Sequence, residues 1–185
     1  HGTHTAGTSV GVPAKIKFNG STNIIPSVGG KPDESGFTEV TVSGVAPGAY
    51  LMAYKALFQV FRADGTVTGS GSNVMLLEAL DWAVKDGADV INNSWGGSAG
   101  ADPATSPYQA AFKAAEDAGV VVVTSAGNSG PGAQTVGCPG CIESGITIAS
   151  TTTGRFFGNT VKFGSDAAML GIAGSQFGAT TTFDS

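Results

Sequence analysis

The stretch "ADVINNSW" (88–95), with "SPYQAAFKAAEDAG" (106–119) and "VVVVTSAG" (120–127) after it, decides the fold class. The first and third segments are short and apolar, as buried strands are, and four valines in a row favour a strand that is buried on both faces. The middle segment has Ser106 and Pro107 at its start and Gly119 past its end, which is typical of a helix. The three segments predict a β-α-β unit with parallel strands.

The flanking segments extend this alternation of strands and helices. "AYLMAYKAL" (49–57) predicts a buried strand, and "GITIAST" (145–151) predicts a further one. "NVMLLEALDWAVKDG" (73–87) predicts a helix that ends at Gly87 and has one apolar face, formed by Val74, Leu77, Leu80 and Val84. We therefore expect an α/β fold with a doubly wound parallel sheet. Ligands of such sheets bind at the carboxyl ends of the strands, so the residues after each strand are the candidates for function.

Composition excludes two classes of partner. The 185 residues are 41% hydrophobic and 12% charged, with 29 glycines, which indicates a globular chain, and the length favours one domain. A net charge of -5 argues against binding to nucleic acid. The longest apolar stretch, "AGVVVV" (118–123), is too short to span a bilayer, so no membrane partner is expected.

Two cysteines, Cys138 and Cys141, lie in "GCPGCIES". A zinc site would need a second pair of ligands, and both histidines are far away in sequence. A redox-active pair normally opens a helix, whereas this pair precedes a turn and a strand. Two interpretations stay open: a local disulfide across the turn, or two free thiols.

The remaining polar residues suit acyl transfer. His1 and His4 are the two histidines of the chain, and "NNSWGG" (92–97) and "SAGNSGP" (125–131) each follow a predicted strand. Acyl transfer needs a general base, a groove that binds peptide backbone and a donor for the developing oxyanion. Asn128 carries such a donor, although "GNSG" alone is also an ordinary turn sequence.

Four stretches in order give these residues a context: "HGTHTAGT" (1–8), "SGVAPGAYLMAYK" (43–55), "DVINNSWGG" (89–97) and "VVVTSAGNSGP" (121–131). Together they resemble the subtilisin-like serine proteases (subtilases), and more closely the large secreted members. The resemblance covers the first eight residues and roughly 49–150. It implies a three-layer αβα fold, incomplete in this chain, and a secreted, monomeric serine endopeptidase that acts on proteins or peptides.

The resemblance also assigns roles. His1 matches the catalytic general base, Asn128 matches the oxyanion-hole asparagine, and His4 matches a packed, structural position. The other matches form the substrate groove. The residues that pair with the substrate backbone are Ser94, Trp95 and Gly96, and the pocket for the residue before the scissile bond has Ser125, Ala126 and Gly127 as one wall and Gly137 as its floor.

Two triad members are missing from these 185 residues. Subtilases order their triad Asp, His, Ser, so the aspartate would lie upstream of His1. The family's Gly-Thr-Ser-Met-Ala motif is absent, and "GTSV" (7–10) belongs to the histidine helix. We therefore expect a fragment that is inactive alone. Residues 1–154 are predicted to be a partial catalytic domain, and 155–185, with "FFGNTVKFG" (156–164), either the start of a protease-associated insertion or a surface hairpin.

No cofactor or metal site is predicted. The Gly-, Ser- and Pro-rich segment Asn19–Gly44 is longer than in compact subtilases, where this loop often holds calcium. It offers only Asp33, Glu34 and Glu39 as carboxylates, so no site is assigned, and calcium in a longer parent enzyme stays open.

Two other functions are compatible with part of the sequence. "GGSAG" (96–100) fits the nucleophile elbow of α/β-hydrolases, but that elbow leads straight into a helix, and the fold needs a histidine after the serine. The other rival is a catalytically inactive subtilase-like scaffold or binding module. The intact "HGTH" and "AGNSGP" motifs weigh against it.

Overall fold

The computed structural model describes residues 1–19, 37–151, 159–161 and 169–171. The chain divides into two compact units, His1–Lys15 with Thr41–Ala149 and Ile16–Val40 with Ser150–Ser185. The described elements, in chain order, are α1 (Gly2–Val10), β1 (Ala14–Asn19), β2 (Phe37–Val42), β3 (Phe58–Phe61), β4 (Val67–Ser70), α2 (Asn73–Lys85), β5 (Val90–Asn93), α3 (Tyr108–Asp117), β6 (Val121–Ser125), β7 (Ile146–Ile148), β8 (Asn159–Val161) and β9 (Met169–Gly171).

A parallel sheet of order β5-β6-β7 lies at the centre of the first unit. Val90 pairs with Val121, and Val123 pairs with Ile146. Helix α3 connects β5 to β6, as the β-α-β pattern predicts. The α/β class and the parallel sheet are confirmed, and the part of the chain that the structure describes supplies this sheet and one layer of helices.

The core lies between the sheet and the helices α2 and α3. Phe112 of α3 has no exposed surface, and Val122 of β6 is almost as completely buried. Burial of an aromatic side chain such as Phe112 stabilises the fold by about 2–3 kcal/mol. Helix α2 contributes Leu76, Leu80 and Ala83.

The predicted apolar face of α2 differs from the buried face at the start of the helix. Val74 is 71% exposed, and Leu76, which was not assigned to that face, is buried. Leu80 is common to the predicted and the observed face. The first turn of α2 meets α3 through Asn73, which accepts a hydrogen bond from the Tyr108 hydroxyl, and through Leu76, whereas Val74 lies on the exposed side of the helix.

The helix ends follow their sequence signals. The Ser72 hydroxyl accepts a hydrogen bond from the Met75 amide at the start of α2. Gly87 and Gly119, which follow the ends of α2 and α3, have positive φ angles of 83° and 89°. Helix α3 begins at Tyr108 rather than at Pro107, and the Ser106 hydroxyl accepts from the Tyr108 amide at 3.4 Å.

The predicted strand at 49–57 is wrong. Tyr50 is fully exposed, Leu51 and Met52 are more than one-third exposed, and 50–57 contains no strand residue. Only its end reaches the core, where Ala56 and Leu57 pack against the buried cluster. A strand requires a hydrogen-bonded neighbour, and in the described residues β5 pairs only with β6.

A hairpin that the sequence analysis did not predict follows this segment. Strands β3 and β4 pair antiparallel, with Phe58 opposite Ser70. The turn contains Asp64 and Gly65, and Gly65 has a φ of 80°. An Asp-Gly pair between two apolar runs is a strong hairpin signal that was available in the sequence.

The prediction that β6 is buried on both faces is also wrong. Because side chains alternate along a strand, Val122 and Thr124 point to the helices and Val121 points to the opposite face. On that opposite face Val121 is 45% exposed, and its neighbours Ile146 and Ile148 are 53% and 54% exposed. This sheet face is apolar and open to solvent.

We predict that the 185-residue chain binds a hydrophobic dye and self-associates, because exposed apolar surface of this kind favours both. Ile146→Lys places a charge on the open face and should lower dye binding and raise the monomer fraction in analytical ultracentrifugation. Val74→Lys, at an exposed valine of α2, is the matched control and should change neither. A cooperative thermal transition from a monomer that binds no dye would contradict the prediction.

Candidate active site

The residues after β5 and β6 meet at one edge of the sheet. Strand β6 ends at Ser125, and the Ala126 amide still donates to the Ile148 carbonyl at 2.9 Å. Gly127, with a φ of 91°, then turns the chain, and Asn128 follows with its side chain exposed. Parallel strands present their carboxyl ends on the same side, so Ser94–Gly96 and Ala126–Asn128 share this edge.

The turn at 137–141 joins the two loops. The Gly97 amide donates to the Cys138 carbonyl at 2.8 Å, and Ala99 forms an antiparallel bridge with Gly137. The Gly137 amide donates to the Ala126 carbonyl at 3.4 Å. The predicted pocket floor therefore contacts both the predicted pocket wall and the chain directly after the predicted substrate-pairing residues.

Gly137 is buried, and its backbone approaches another backbone closely. A Cβ added there would overlap the Gly97 carbonyl oxygen. A Cβ added at Gly127 would lie 3.9 Å from the Gly137 amide nitrogen, so Gly127 faces the backbone of the turn at Gly137. The lack of a side chain at Gly137 allows its backbone to approach that of Gly97 this closely.

Cys138 and Cys141 are joined by a disulfide, and their Cα atoms are 4.6 Å apart. The structure thus has the first of the two alternatives that the sequence leaves open. Pro139 and Gly140, inside the small ring, are buried. The Thr147 hydroxyl donates to the Gly140 carbonyl at 2.8 Å, which ties the ring to β7.

Helix α3 fixes the chain between the disulfide and β7. The Gln109 side chain donates to the Ser144 hydroxyl at 3.0 Å and accepts from the Glu143 amide at 3.1 Å. The Glu116 carboxylate accepts from the Gly145 amide at 2.7 Å. These bonds hold the end of the turn against the core, so the pocket floor has support from the helical layer.

A cleft of about 440 Å³ lies beside Trp95 and Gly96. Trp95 packs on Tyr108 with ring centroids 5.1 Å apart, and the Tyr108 hydroxyl donates to Asn73 Oδ1 at 2.7 Å. Burial raises the pKa of the Tyr108 hydroxyl, so this group stays a donor. Sequence reasoning did not find Tyr108 and Asn73, since they lie 35 residues apart and carry no shared motif.

The two histidines are exposed. His1 lies at the N-cap of α1, and the backbone hydrogen bonds that anchor the end of this helix run to Gly44, Val45 and Ala46 rather than to the sheet edge. The roles of His1 as general base and of Asn128 as oxyanion donor stay predictions. The expectation that His4 is packed is wrong, because α1 has no buried residue.

Within the described ranges, no three His, Cys, Asp or Glu side chains lie together in a way that could hold a metal ion. Asp33 and Glu34 lie outside the described residues, as does most of 155–185. None of the described helices is long and apolar enough to cross a bilayer.

Comparison with known proteins decides the family. A model of peptidase family S8, the subtilase family, matches residues 1–181. The chain belongs to the subtilase family. Among subtilases, it is 37% identical to pyrolysin of Pyrococcus furiosus over 158 residues, 81% of this chain and 11% of that protein. It is 38% identical to the minor extracellular protease Vpr of Bacillus subtilis over 152 residues, 82% of this chain and 14% of Vpr.

A plant subtilase matches almost the whole chain. The subtilisin-like protease SBT3.4 of Arabidopsis thaliana is 33% identical over 98% of this chain and 22% of that protein. The chain thus spans between 11% and 22% of these three relatives. Among solved structures, sphericase is 34% identical with a TM-score of 0.44, covering 58% of this chain and 32% of sphericase.

We predict that Gly137→Ala destabilises this subtilase segment by about 1–3 kcal/mol, because the added methyl group overlaps a backbone carbonyl that has no room to move. Gly132→Ala is the matched control. Its Cβ would lie 3.7 Å from Thr135 Cγ2, an ordinary contact, so its effect should stay below about 0.5 kcal/mol. Urea unfolding followed by circular dichroism measures both, and equal midpoints would refute the predicted crowding at Gly137.

Proposed function

We propose that this chain is part of a secreted serine endopeptidase that hydrolyses peptide bonds with an Asp-His-Ser triad and an asparagine oxyanion donor. One observation carries the proposal: Gly96–Gly97, Ala126–Gly127 and Gly137–Cys138 converge at the carboxyl edge of the parallel sheet. The word "extracellular" in the name of Vpr supports secretion. Family membership supports peptidase activity, and we propose a monomeric enzyme.

His1 is the proposed general base. In the complete enzyme it takes the proton from the serine hydroxyl during attack and returns it to the leaving amine. The aspartate and the serine are proposed to come from outside these 185 residues. The exposure of His1 fits this role, since a base must be reachable from the groove.

Asn128 is the proposed oxyanion donor. It directly follows the Gly127 turn, with its side chain exposed at the edge where the pocket residues meet. Loss of the corresponding donor in subtilisin, a member of this family, costs about 2.7–4 kcal/mol in kcat, a magnitude measured there rather than inferred from this chain. Asn128→Ala should therefore lower kcat strongly and leave KM nearly unchanged.

The substrate backbone is proposed to pair with Ser94–Gly96. This segment directly follows β5, and Gly96 is exposed beside the cleft. The Asn92 side-chain amide donates to the Ser94 hydroxyl at 2.9 Å, which restrains the start of the segment. A peptide that adds to this segment would have its side chains directed into the neighbouring pocket and cleft.

We predict that the 185-residue chain alone does not hydrolyse casein, because loss of the nucleophile removes most of a contribution of about 10⁶-fold from the triad. A fluorophosphonate that labels active serines should not label it. The longer parent protein should be labelled stoichiometrically, and His1→Ala in that protein should abolish labelling. A parent that is never labelled would favour the inactive scaffold instead.

The pocket composition predicts what is cleaved. Gly127 and Gly137 add no charged or bulky side chain to the proposed pocket, and Glu143 is exposed, with its amide bonded to Gln109. A lysine buried there without a partner would cost several kcal/mol, on the order of 3 or more, whereas a large apolar side chain gains about 2–3 kcal/mol.

We therefore expect the parent enzyme to prefer Phe, Leu, Tyr or Met before the scissile bond. Cleavage of a peptide library, read by mass spectrometry, measures this preference. Glu143→Gln is the control and should leave the profile unchanged. Dominant cleavage after Arg or Lys, lost in Glu143→Gln, would show that the carboxylate reaches the pocket and would overturn the prediction.

A further inference from the structure

We infer that the Cys138–Cys141 disulfide is a positioning element of the substrate groove, and that its reduction by a dithiol weakens peptide binding while it leaves the fold in place. The inference rests on the proposed function, since the groove is the one assigned there. Its first part, the mechanical link between the disulfide and Gly97, can be measured without any activity.

The link begins at the carbonyl of Cys138. This oxygen accepts the Gly97 amide at 2.8 Å, and a Cβ built at Gly96 would lie 3.4 Å from it. The position of the Cys138 carbonyl therefore determines how far Gly96 and Gly97 lie from the turn at 137–141. Gly96 belongs to the segment proposed to pair with the substrate, so a shift of Cys138 moves that segment.

The residue before Cys138 extends the link to the other wall. Gly137 bridges Ala99 on one side, and its amide donates to the Ala126 carbonyl on the other. Gly137–Cys138 is thus a two-residue crosspiece that spans the proposed groove. Neither contact uses a side chain, so the geometry depends on where the backbone of this pair lies.

The disulfide restrains that backbone from the far side. Cys141 is next to Ile142, which belongs to the buried core, and the intervening Gly140 carbonyl accepts the Thr147 hydroxyl at 2.8 Å. The ring therefore connects the crosspiece to an anchored part of the fold. Without the disulfide, Cys138 and Cys141 would be connected only through Pro139 and Gly140, and glycine gives the backbone more conformational freedom.

The size of the ring indicates a local role. The two cysteines are three residues apart, and crosslinks that close small loops remove less entropy from the unfolded chain than those that close large loops. Cys141 packs against the buried cluster that contains Phe112 and Val122, but most of that cluster is formed by apolar side chains of α2, α3 and β6. Reduction is therefore expected to loosen the crosspiece and to leave the sheet intact.

Both cysteines are half-buried, so a small dithiol can reach them. One thiolate of the reagent attacks one cysteine sulfur, which breaks the protein S–S bond, releases the other cysteine as a thiolate and forms a mixed disulfide. The second thiolate of the reagent then attacks the reagent sulfur of that mixed disulfide and releases the first cysteine as a thiolate. The protein disulfide gains two electrons and two protons to become two thiols, and the dithiol becomes a cyclic disulfide. Removal of the reagent and reoxidation reverse the step.

Amide hydrogen exchange of the parent protein, in its oxidised form, after dithiol treatment and as the double variant Cys138→Ser/Cys141→Ser, tests the link. We expect the Gly97 and Gly137 amides to exchange at least about tenfold faster without the disulfide, because local opening sets their protection. The Val121 amide, bonded to Asp89 in the sheet, and the Gly65 amide in the hairpin are internal controls and should not change. Unchanged exchange at Gly97, or faster exchange at all four amides, would overturn the inference.

Kinetics of the parent protein test the consequence. The double variant and the dithiol-treated enzyme should show a KM raised about three- to tenfold with kcat nearly unchanged, because only substrate positioning is affected. Reoxidation should restore KM in the unsubstituted enzyme and not in the variant. A fall in kcat at constant KM would overturn the positioning role.

A parent without peptidase activity would refute the proposed function, and the exchange measurement would still decide the link.

Discussion

The close backbone contact between Gly97 and the Gly137–Cys138 pair is the constraint on which the rest of the site depends. It holds the loop after β5 against the turn that precedes β7, and Ala126 joins the same turn from β6. The contacts among the three chain segments are made by backbone groups. A Cβ at Gly137 would overlap the Gly97 carbonyl oxygen, which is why glycine occupies that position.

The helical layer makes this junction stable. Phe112 lies at the centre of the core, and a Cβ at Gly145 would come within 3.1 Å of its ring. Helix α3 also supplies Gln109 and Glu116, which bind the chain just before β7. The junction therefore has a packed support on one side of the sheet. The opposite face of the sheet, with Val121 and Ile146 exposed, has no such cover in the described residues.

Sequence reasoning succeeded where the determining interactions are local. Helix α3 and its two flanking strands could be predicted, because periodicity and end signals lie within the segments themselves. The meeting of the loops after β5 and β6 could also be predicted, since parallel strands present their carboxyl ends together. The strand at 49–57 could not be judged locally, because a strand exists only with a partner.

The same limit applies to burial and to the cleft. The pattern of α2 indicated a helix but not which of its side chains the core covers, so Val74 was assigned to the buried face although it is exposed. Trp95 contacts Tyr108, and Tyr108 contacts Asn73. The three residues belong to separate segments, and no sequence pattern within any one segment predicts these contacts. The position of His1 relative to Asn128 is likewise set by contacts that its own segment does not contain.

The carboxyl edge of the sheet is the proposed peptide-binding groove. A titration of the ¹⁵N-labelled chain with a non-cleaved peptide that carries Phe in an apolar context, followed by amide chemical shifts, tests it most directly. The account predicts shifts at Ser94–Gly97, Ala126–Asn128 and Gly137, and weaker shifts when Phe is replaced by Lys. Shifts confined to the β3–β4 hairpin or to the open face around Val121 and Ile146 would contradict it.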